Sequence, residues 1–396
     1  MLADRIPAIQ EALGESGLDA WLFAAFQQND PVSLELLGLQ GEGKLVTRRC
    51  YYLVPRQGEP RKLVHGLEPA MLDHLPGAKT VYLTWQEHRQ RLGELLRGAA
   101  RLGAQYSPRN GLPAVSRLDA GTAELVREAG CELHSSADLV QRFAATWSDD
   151  QLAGHRRANE HLHRLAREAF GRVAKALLAG EAIDEYAVQK FLLEGFEQAG
   201  LWTESPPIVG VNAHSADPHY QPDASHTAPI QRGDFLLIDL WAKEKAPASV
   251  YADITWCGVC GPAPSARQQE VWTVVAAARD AAWELVRSRY PATPVAGYEV
   301  DDAARAVIRE AGYGEKFIHR TGHSIGIQDH GQGANMDNLE THDTRRLMPM
   351  TGFSIEPGVY LTGDFGVRTE INVALTPERA EITGGEPQRE LLRLLG

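Results

Sequence analysis

The chain has 396 residues, 43% of them apolar and 23% charged, with a formal net charge of −12, the composition of an ordinary soluble globular protein. That length exceeds the size at which one core stops growing, so two domains are expected. The acidic balance argues against a nucleic-acid footprint and against an anionic membrane surface; no apolar run is long enough for a bilayer and the first twenty residues carry charges where a signal peptide is apolar, so a cytoplasmic protein is expected.

In chain order, residues 1 to about 145 alternate helix-like and strand-like segments. An amphipathic opening runs through Ile6, Ile9 and Leu13, and strands are predicted over 20–24, 50–54 and 80–85. The charges of this half are scattered and read as solvated faces. TWSDDQLAGH marks the boundary, where Ser148 with Gln151 forms a capping box. A long helix follows with Leu162, Leu165, Ala169, Val173 and Leu177 at helical spacing, closed by Gly180. A second helix carries Val188, Phe191, Leu192 and Phe196. Beyond an intervening pair of strands, Ser265 with Gln268 opens a third helix, and a fourth is predicted to be capped by Asp301 and to stop at Gly312. This divides the chain into domains 1–147 and 148–396. The order helices, strands, helices, strands suggests an internally duplicated α/β unit with helices on one face of a curved antiparallel sheet and a site on the other.

Four cysteines, Cys50, Cys131, Cys257 and Cys260, make no disulfide framework in a chain this long. The last two form a CxxC inside DITWCGVCG, which alternates as a strand does. Residues three apart on a strand face opposite ways, so two small apolar side chains are expected rather than a redox or zinc pair.

The chemistry is concentrated in the second half, where Asp239, Asp253, His323, Glu356 and Glu370 each sit in or beside a strand-like run. Carboxylates on apolar strands are costly to bury unless paired or metal-bound, and these five read as a ligand set for two divalent cations. Asp239 and Asp253 flank a polar stretch with Pro247, an antiparallel hairpin with a long tip. With the tip centred near Ala246, the two aspartates face each other across the strands, where Cβ atoms lie about 4.5–5.5 Å apart and like charges need a counter-charge. Glu356 precedes Pro357-Gly358, a turn signal. Glu370 is in phase with Arg368 and Asn372 while Val367, Ile371 and Val373 face the other way, so Arg368 is placed to orient a ligand carboxylate. His319, His323 and His330 cluster in HRTGHSIGIQDH, where Gly322 and Gly326 argue against a helical HxxxH site. His219 lies in a loop-like stretch ahead of the first acidic strand, and His214 and His226 are read as surface residues. Oxygen-rich ligation with a single imidazole suits manganese, with cobalt or zinc able to substitute. Four carboxylates against two such ions leave a near-neutral site in which a bridging water can serve as hydroxide near pH 7.

The series PHY, LIDLW, YADITW, TGHSIG with His330, IEPGVY and GVRTE resembles the pita-bread metallopeptidases, specifically the prolidase and aminopeptidase P branch, over residues 150 to about 380. The first part of the chain is similar to the creatinase-type N-terminal domain of that branch. The resemblance implies that Asp239, Asp253, His323, Glu356 and Glu370 bind two metal ions, that His219 and His330 assist at the scissile carbonyl, that Glu356 shuttles the proton, and that the chain forms a homodimer. The expected activity is that of a Xaa-Pro dipeptidase (prolidase). Aminopeptidase P activity on longer Xaa-Pro peptides is the alternative. A metal-free creatinase-like hydrolase or an inactive peptide-binding module would not be expected to keep all five ligands. Two features depart from the family pattern. The hairpin tip is longer, and the stretch in which prolidases often place an arginine for the substrate carboxylate reads ETHDTRRLMPM. That clamp is unassigned, although Arg345 and Arg346 favour the dipeptidase.

Overall fold

The computed structural model describes residues 2–41 and 45–396 and divides into two compact units, one ending at Ala144 and the other beginning at Ala145.

In the first unit, α1 (Leu2–Glu15) buries Ile6, Ile9 and Leu13, the stripe its spacing predicts. There follow β1 (Ala20–Ala25), α2 (Pro31–Leu36), β2 (Cys50–Pro55), β3 (Arg61–His65), β4 (Ala78–Tyr82), α3 (Trp85–Leu96), β5 (Arg101–Ala104), α4 (Ala120–Glu128), β6 (Glu132–Ser135) and α5 (Ala137–Val140). The strands form one mixed sheet in the order β4-β3-β2-β1-β5-β6. Alternating side chains feed two apolar layers: Trp21, Phe23 and Tyr52 join α1 on one face, while Leu22 and Leu53 meet Leu92, Leu95 and Val126 of α3 and α4 on the other. The strand expected over 80–85 ends at Tyr82 and Trp85 begins α3. Thr84 accepts from the Glu87 backbone while the Glu87 side chain accepts in return, and this capping box converts an apolar run into a helix start.

The second unit opens with α6 (Asp149–Ala179), capped by Ser148 and Gln151 and ended by left-handed Gly180, then α7 (Glu185–Gln198). The short strands β7 (Leu201–Trp202) and β8 (Ile208–Val211) precede the long hairpin of β9 (Phe235–Glu244) and β10 (Ala252–Val259). After α8 (Ala266–Arg289) and α9 (Gly297–Glu310) come β11 (Ser324–Ile325), β12 (Thr351–Ile355), β13 (Gly358–Leu361), β14 (Phe365–Arg368), β15 (Ile371–Leu375), β16 (Ala380–Ile382) and β17 (Leu392–Arg393). The helix and strand order is the one predicted, but the strands are partitioned among three sheets: β17-β10-β9-β7 with β8 on β9, then β11-β12-β15-β16, then the β13-β14 pair.

The β9-β10 ribbon is buried on both faces. Leu236, Ile238, Ala252 and Ile254 pack with α6 and α7. Phe235, Leu237, Cys257 and Val259 pack with α8, α9 and the C-terminal strands. Asp239 and Asp253 continue that second face toward the hairpin tip.

Asp301 does not cap α9. Ala296 occupies that position, and Asp301, fully buried inside the helix, takes a two-pronged ion pair from Arg305 and hydrogen bonds from the Thr321 backbone and hydroxyl. Nor does Pro357-Gly358 reverse the chain. β12 pairs with β15 and β13 with β14, so the reversal lies beyond Leu361, where Gly363 adopts φ +79°. Pro357 lacks an amide N–H, and Glu356-Pro357 and Thr369-Glu370 form facing breaks in this nested hairpin.

Cys257 and Cys260 fall in different apolar clusters, the opposite-face arrangement their spacing predicts. All four thiols are free and buried, and burial pushes Cys50, Cys257 and Cys260 up to about 12. The native protein should therefore react negligibly with a thiol-disulfide reagent at pH 8 and release four thiols once unfolded. Fast reaction of two native thiols would contradict this packing.

Candidate active site

The β9-β10 register sets the first half of the site. Asp239 lies opposite Thr255, and Asp253 opposite Trp241. The direct Asp239-Asp253 pairing expected from the sequence is thus displaced by two residues, because the long tip centres one residue later than assumed. An even displacement leaves both carboxylates on one face, and it puts Thr255 between them and their neighbours. The Thr255 hydroxyl accepts from Arg368 Nε at 2.9 Å and lies 2.7 Å from Asp239 Oδ1 and 2.9 Å from Glu370 Oε2.

The nested hairpin supplies the second half. The Glu370 amide donates to Thr255 O, and the Asp253 amide donates to Asn372 Oδ1 at 2.8 Å, stitching β15 to β10. His323 enters beside β12: its amide donates to Ser354 Oγ at 3.0 Å, and the Ser354 amide returns a bond to His323 O. This crossing explains the glycine of TGH, since a Cβ on Gly322 would stand 1.9 Å from Ser354 O. His323 Nδ1 lies 3.1 Å from Ser324 O. A carbonyl only accepts, so Nδ1 carries a proton, and Nε2 is the nitrogen turned toward Asp253 Oδ2 at 3.5 Å and Glu356 Oε1 at 3.4 Å.

Asp239, Asp253, His323, Glu356 and Glu370 therefore converge. Arg368, the predicted orienting residue, pairs with Asp239 and approaches Glu356 Oε2 to 4.0 Å. Burial raises Asp239, only partly offset by Arg368, and raises Asp253 and Glu370 well above the usual carboxylate range, with their mutual repulsion adding to the effect. Glu356 is also buried, but His323 and Arg368 outweigh that cost and hold it low. Asp253 Oδ1 and Glu370 Oε1 are buried with no hydrogen-bond partner. Orphaned carboxylate oxygens beside an imidazole nitrogen are what a divalent-cation site requires, so the residues present fit the expected ions.

Asp239, Asp253, His323, Glu356 and Arg368 floor a cleft of about 1000 Å³ that His219, His319, His330, Arg320, Asp329 and Trp241 also line. His330 packs tilted against His323, ring centroids 4.3 Å apart, and is largely exposed, as is His219. His319 is fixed in the cleft wall: Nδ1 donates to Arg320 O and Nε2 accepts from Tyr360 Oη at 2.8 Å, with burial pushing it down to about 4. Arg345 is not in the cleft. It is buried and grips Asp343 with both Nε and Nη2 and Gln332 O with Nη1. His342 hydrogen-bonds Asn338, so neither residue clamps a substrate. His214 is no plain surface residue, because its Nδ1 meets the fully buried Glu185, which also receives Tyr220 Oη and the Val211 and Ala228 amides and so holds the loop carrying His219.

Thr255, Arg320 and Asp329 escaped the sequence reading. Thr255 was recoverable from its phase with Asp253. Asp329 and Arg320 lie in a glycine-rich segment where no period assigns a facing.

Residues 156–377 match the model of metallopeptidase family M24, and the chain belongs to that family. Among curated relatives, it is 27% identical to the probable dipeptidase PepE of Mycobacterium tuberculosis over 62% of this chain and 60% of that protein. It is also 27% identical to a Xaa-Pro dipeptidase of Lactobacillus delbrueckii over 61% of this chain and 60% of the relative; the matches thus span about three fifths of the curated relatives. The crystal structure of dipeptidase PepE from Mycobacterium ulcerans superposes with a TM-score of 0.73 at 23% identity, covering 99% of this chain and 98% of that one, a likeness of fold.

A polar chain ties the site to α6. Asp253 N reaches Asn372, Asn159 and Thr383, and His155 lies between Thr383 Oγ1 at 2.8 Å and Tyr251 O at 2.6 Å. Burial pushes His155 down to about 4, whereas an unfolded histidine titrates near 6.5. The unfolded chain takes up that proton first, so this stability is present above about pH 6.5 and lost as pH falls toward 4, a loss of about 3 kcal/mol. His155→Gln should flatten the fall in melting temperature across that window; an unchanged slope would refute the assignment.

Proposed function

We propose that the chain is a dinuclear-metal Xaa-Pro dipeptidase. The observation that carries this reading is the convergence of four buried carboxylates and His323 around orphaned oxygens, with one arginine as fixed counter-charge. Asp239, Asp253, His323, Glu356 and Glu370 hold two divalent cations, manganese suiting the oxygen-rich set and cobalt or zinc able to replace it. When bound, such ions polarise a carbonyl oxygen and acidify water.

The protein groups do the rest. Arg368 supplies the counter-charge that favours the ionised form of Asp239 and orients it. Glu356, held low beside His323, accepts the proton of the attacking water and delivers it to the leaving nitrogen. His330 and His219 donate hydrogen bonds to the oxygen that becomes negative. Proline's ring fixes its φ and removes the amide N–H, so a site for the bond before it selects shape rather than a backbone donor. The names borne by the M24 relatives, dipeptidase and Xaa-Pro dipeptidase, support the dipeptide preference. The residues before Ala145 act as the creatinase-type N-terminal domain of a homodimer in the cytoplasm. Among the described residues no helix is long and apolar enough to cross a membrane.

After dialysis and reloading with manganese, the protein should contain two ions per chain and cleave Xaa-Pro faster than Xaa-Pro-Xaa. Asp253→Ala should reduce hydrolysis at least about 1000-fold and lower the metal content, in line with losing a ligand that orients the reaction. Faster cleavage of the tripeptide would turn the reading to aminopeptidase P, and full activity in Asp253→Ala would refute the ligand set.

A further inference from the structure

Asp329 is a fifth carboxylate at the site, outside the ligand set and unused by the chemistry above. Its side chain is 22% exposed and lines the cleft. Oδ1 is buried without a hydrogen-bond partner, and a carboxylate oxygen, His323 and His330 each offer an atom within 4.8 Å of the others. The turn that presents it is fixed: the Gly331 amide donates to Ser324 O at 2.6 Å, Gly326 N to Gln328 O at 3.1 Å and Tyr251 N to Gly326 O at 2.9 Å.

On the other side of His330 stands Arg320. Its Nη2 donates to His330 Nδ1 at 3.4 Å, while Asp329 Oδ2 lies 4.0 Å from His330 Nε2. Since Nδ1 accepts, the Nε2 of a neutral His330 carries its proton, which suits an oxyanion donor and leaves no lone pair there for a further metal ion. Among the described residues Arg320 forms no ion pair with a carboxylate, unlike Arg345, which Asp343 consumes. A cation and an anion thus flank one imidazole, Arg320 at its Nδ1 edge and Asp329 near its Nε2 edge.

We infer that Asp329 receives the free α-ammonium of the substrate and Arg320 its free carboxylate, so that His330 sits between two charge anchors selecting short zwitterionic peptides. The inference rests on the peptidase reading for its substrate. The anchors themselves can be tested by binding.

The test uses the manganese-loaded full chain with Ala-Pro, N-acetyl-Ala-Pro and Ala-Pro-amide, measured by hydrolysis and by calorimetric binding of each peptide. Asp329→Asn should retain two ions per chain, weaken Ala-Pro about 10- to 100-fold, mainly in KM, and collapse the preference for the free over the acetylated amine. Arg320→Met should collapse the preference for the free acid over the amide by a similar factor, and Arg320→Lys should restore part of it. Undiminished preferences in these variants would overturn the inference, as would loss of an ion from Asp329→Asn, which would make Asp329 a metal ligand. Hydrolysis without discrimination overturns the anchors alone. Binding with discrimination but no hydrolysis overturns the peptidase reading alone, and neither binding nor hydrolysis of Ala-Pro overturns both.

Discussion

Burying like charges is among the costliest arrangements a fold can adopt, and the C-terminal unit places Asp239, Asp253, Glu356 and Glu370 where Arg368 supplies the fixed positive charge. One arginine cannot balance four carboxylates. The raised Asp253 and Glu370 and their orphaned oxygens express that imbalance. Divalent cations would relieve it, and in doing so would supply the electrophile that the proposed hydrolysis needs.

The backbone is organised to make that convergence rigid. Apolar layers clamp the β9-β10 ribbon on both sides up to the point where Asp239 and Asp253 begin the polar face. Facing breaks in the nested hairpin bring Glu356 and Glu370 to it from two chain segments at once. Polar bridges then lock the pieces: Thr255 among Arg368, Asp239 and Glu370, Asn372 on the Asp253 amide, and Ser354 between His323 and Glu356. Each bridge satisfies a buried group whose alternative partner, water, the packing excludes. The cleft above this floor is far more open, and its exposed histidines contrast with the buried His323.

Much of this was legible because strands have a period of two. The facing of Arg368, Glu370 and Asn372 against Val367, Ile371 and Val373, and the split of Cys257 from Cys260, follow from counting alternate residues. Helix starts at Ser148 and Ser265 were legible for the same local reason, a hydroxyl and a glutamine three residues apart. Failures occurred where a distant partner decided the outcome. Asp301 has the side chain of a cap, yet Arg305 and Thr321 claim it inside the helix. Arg345 has the charge of a clamp, yet Asp343 holds it in the interior. The hairpin tip has no period at all, so its centre, and with it the pairing of Asp239 with Thr255, could not be counted.

By itself the sequence determined which residue types face a common surface: five ligand-type side chains in or beside strand-like runs, an arginine in phase with the last, and histidines on a glycine-rich turn. Those are consequences of covalent periodicity and need no knowledge of distant segments. Only the tertiary structure decided which of the charged residues are consumed and which are left available. Arg345 and Asp301 are neutralised by neighbours, whereas Arg320 and Asp329 stand in the cleft on either side of His330. A charge is functional when folding leaves it uncompensated, and compensation depends on contacts between segments that the linear chain keeps far apart.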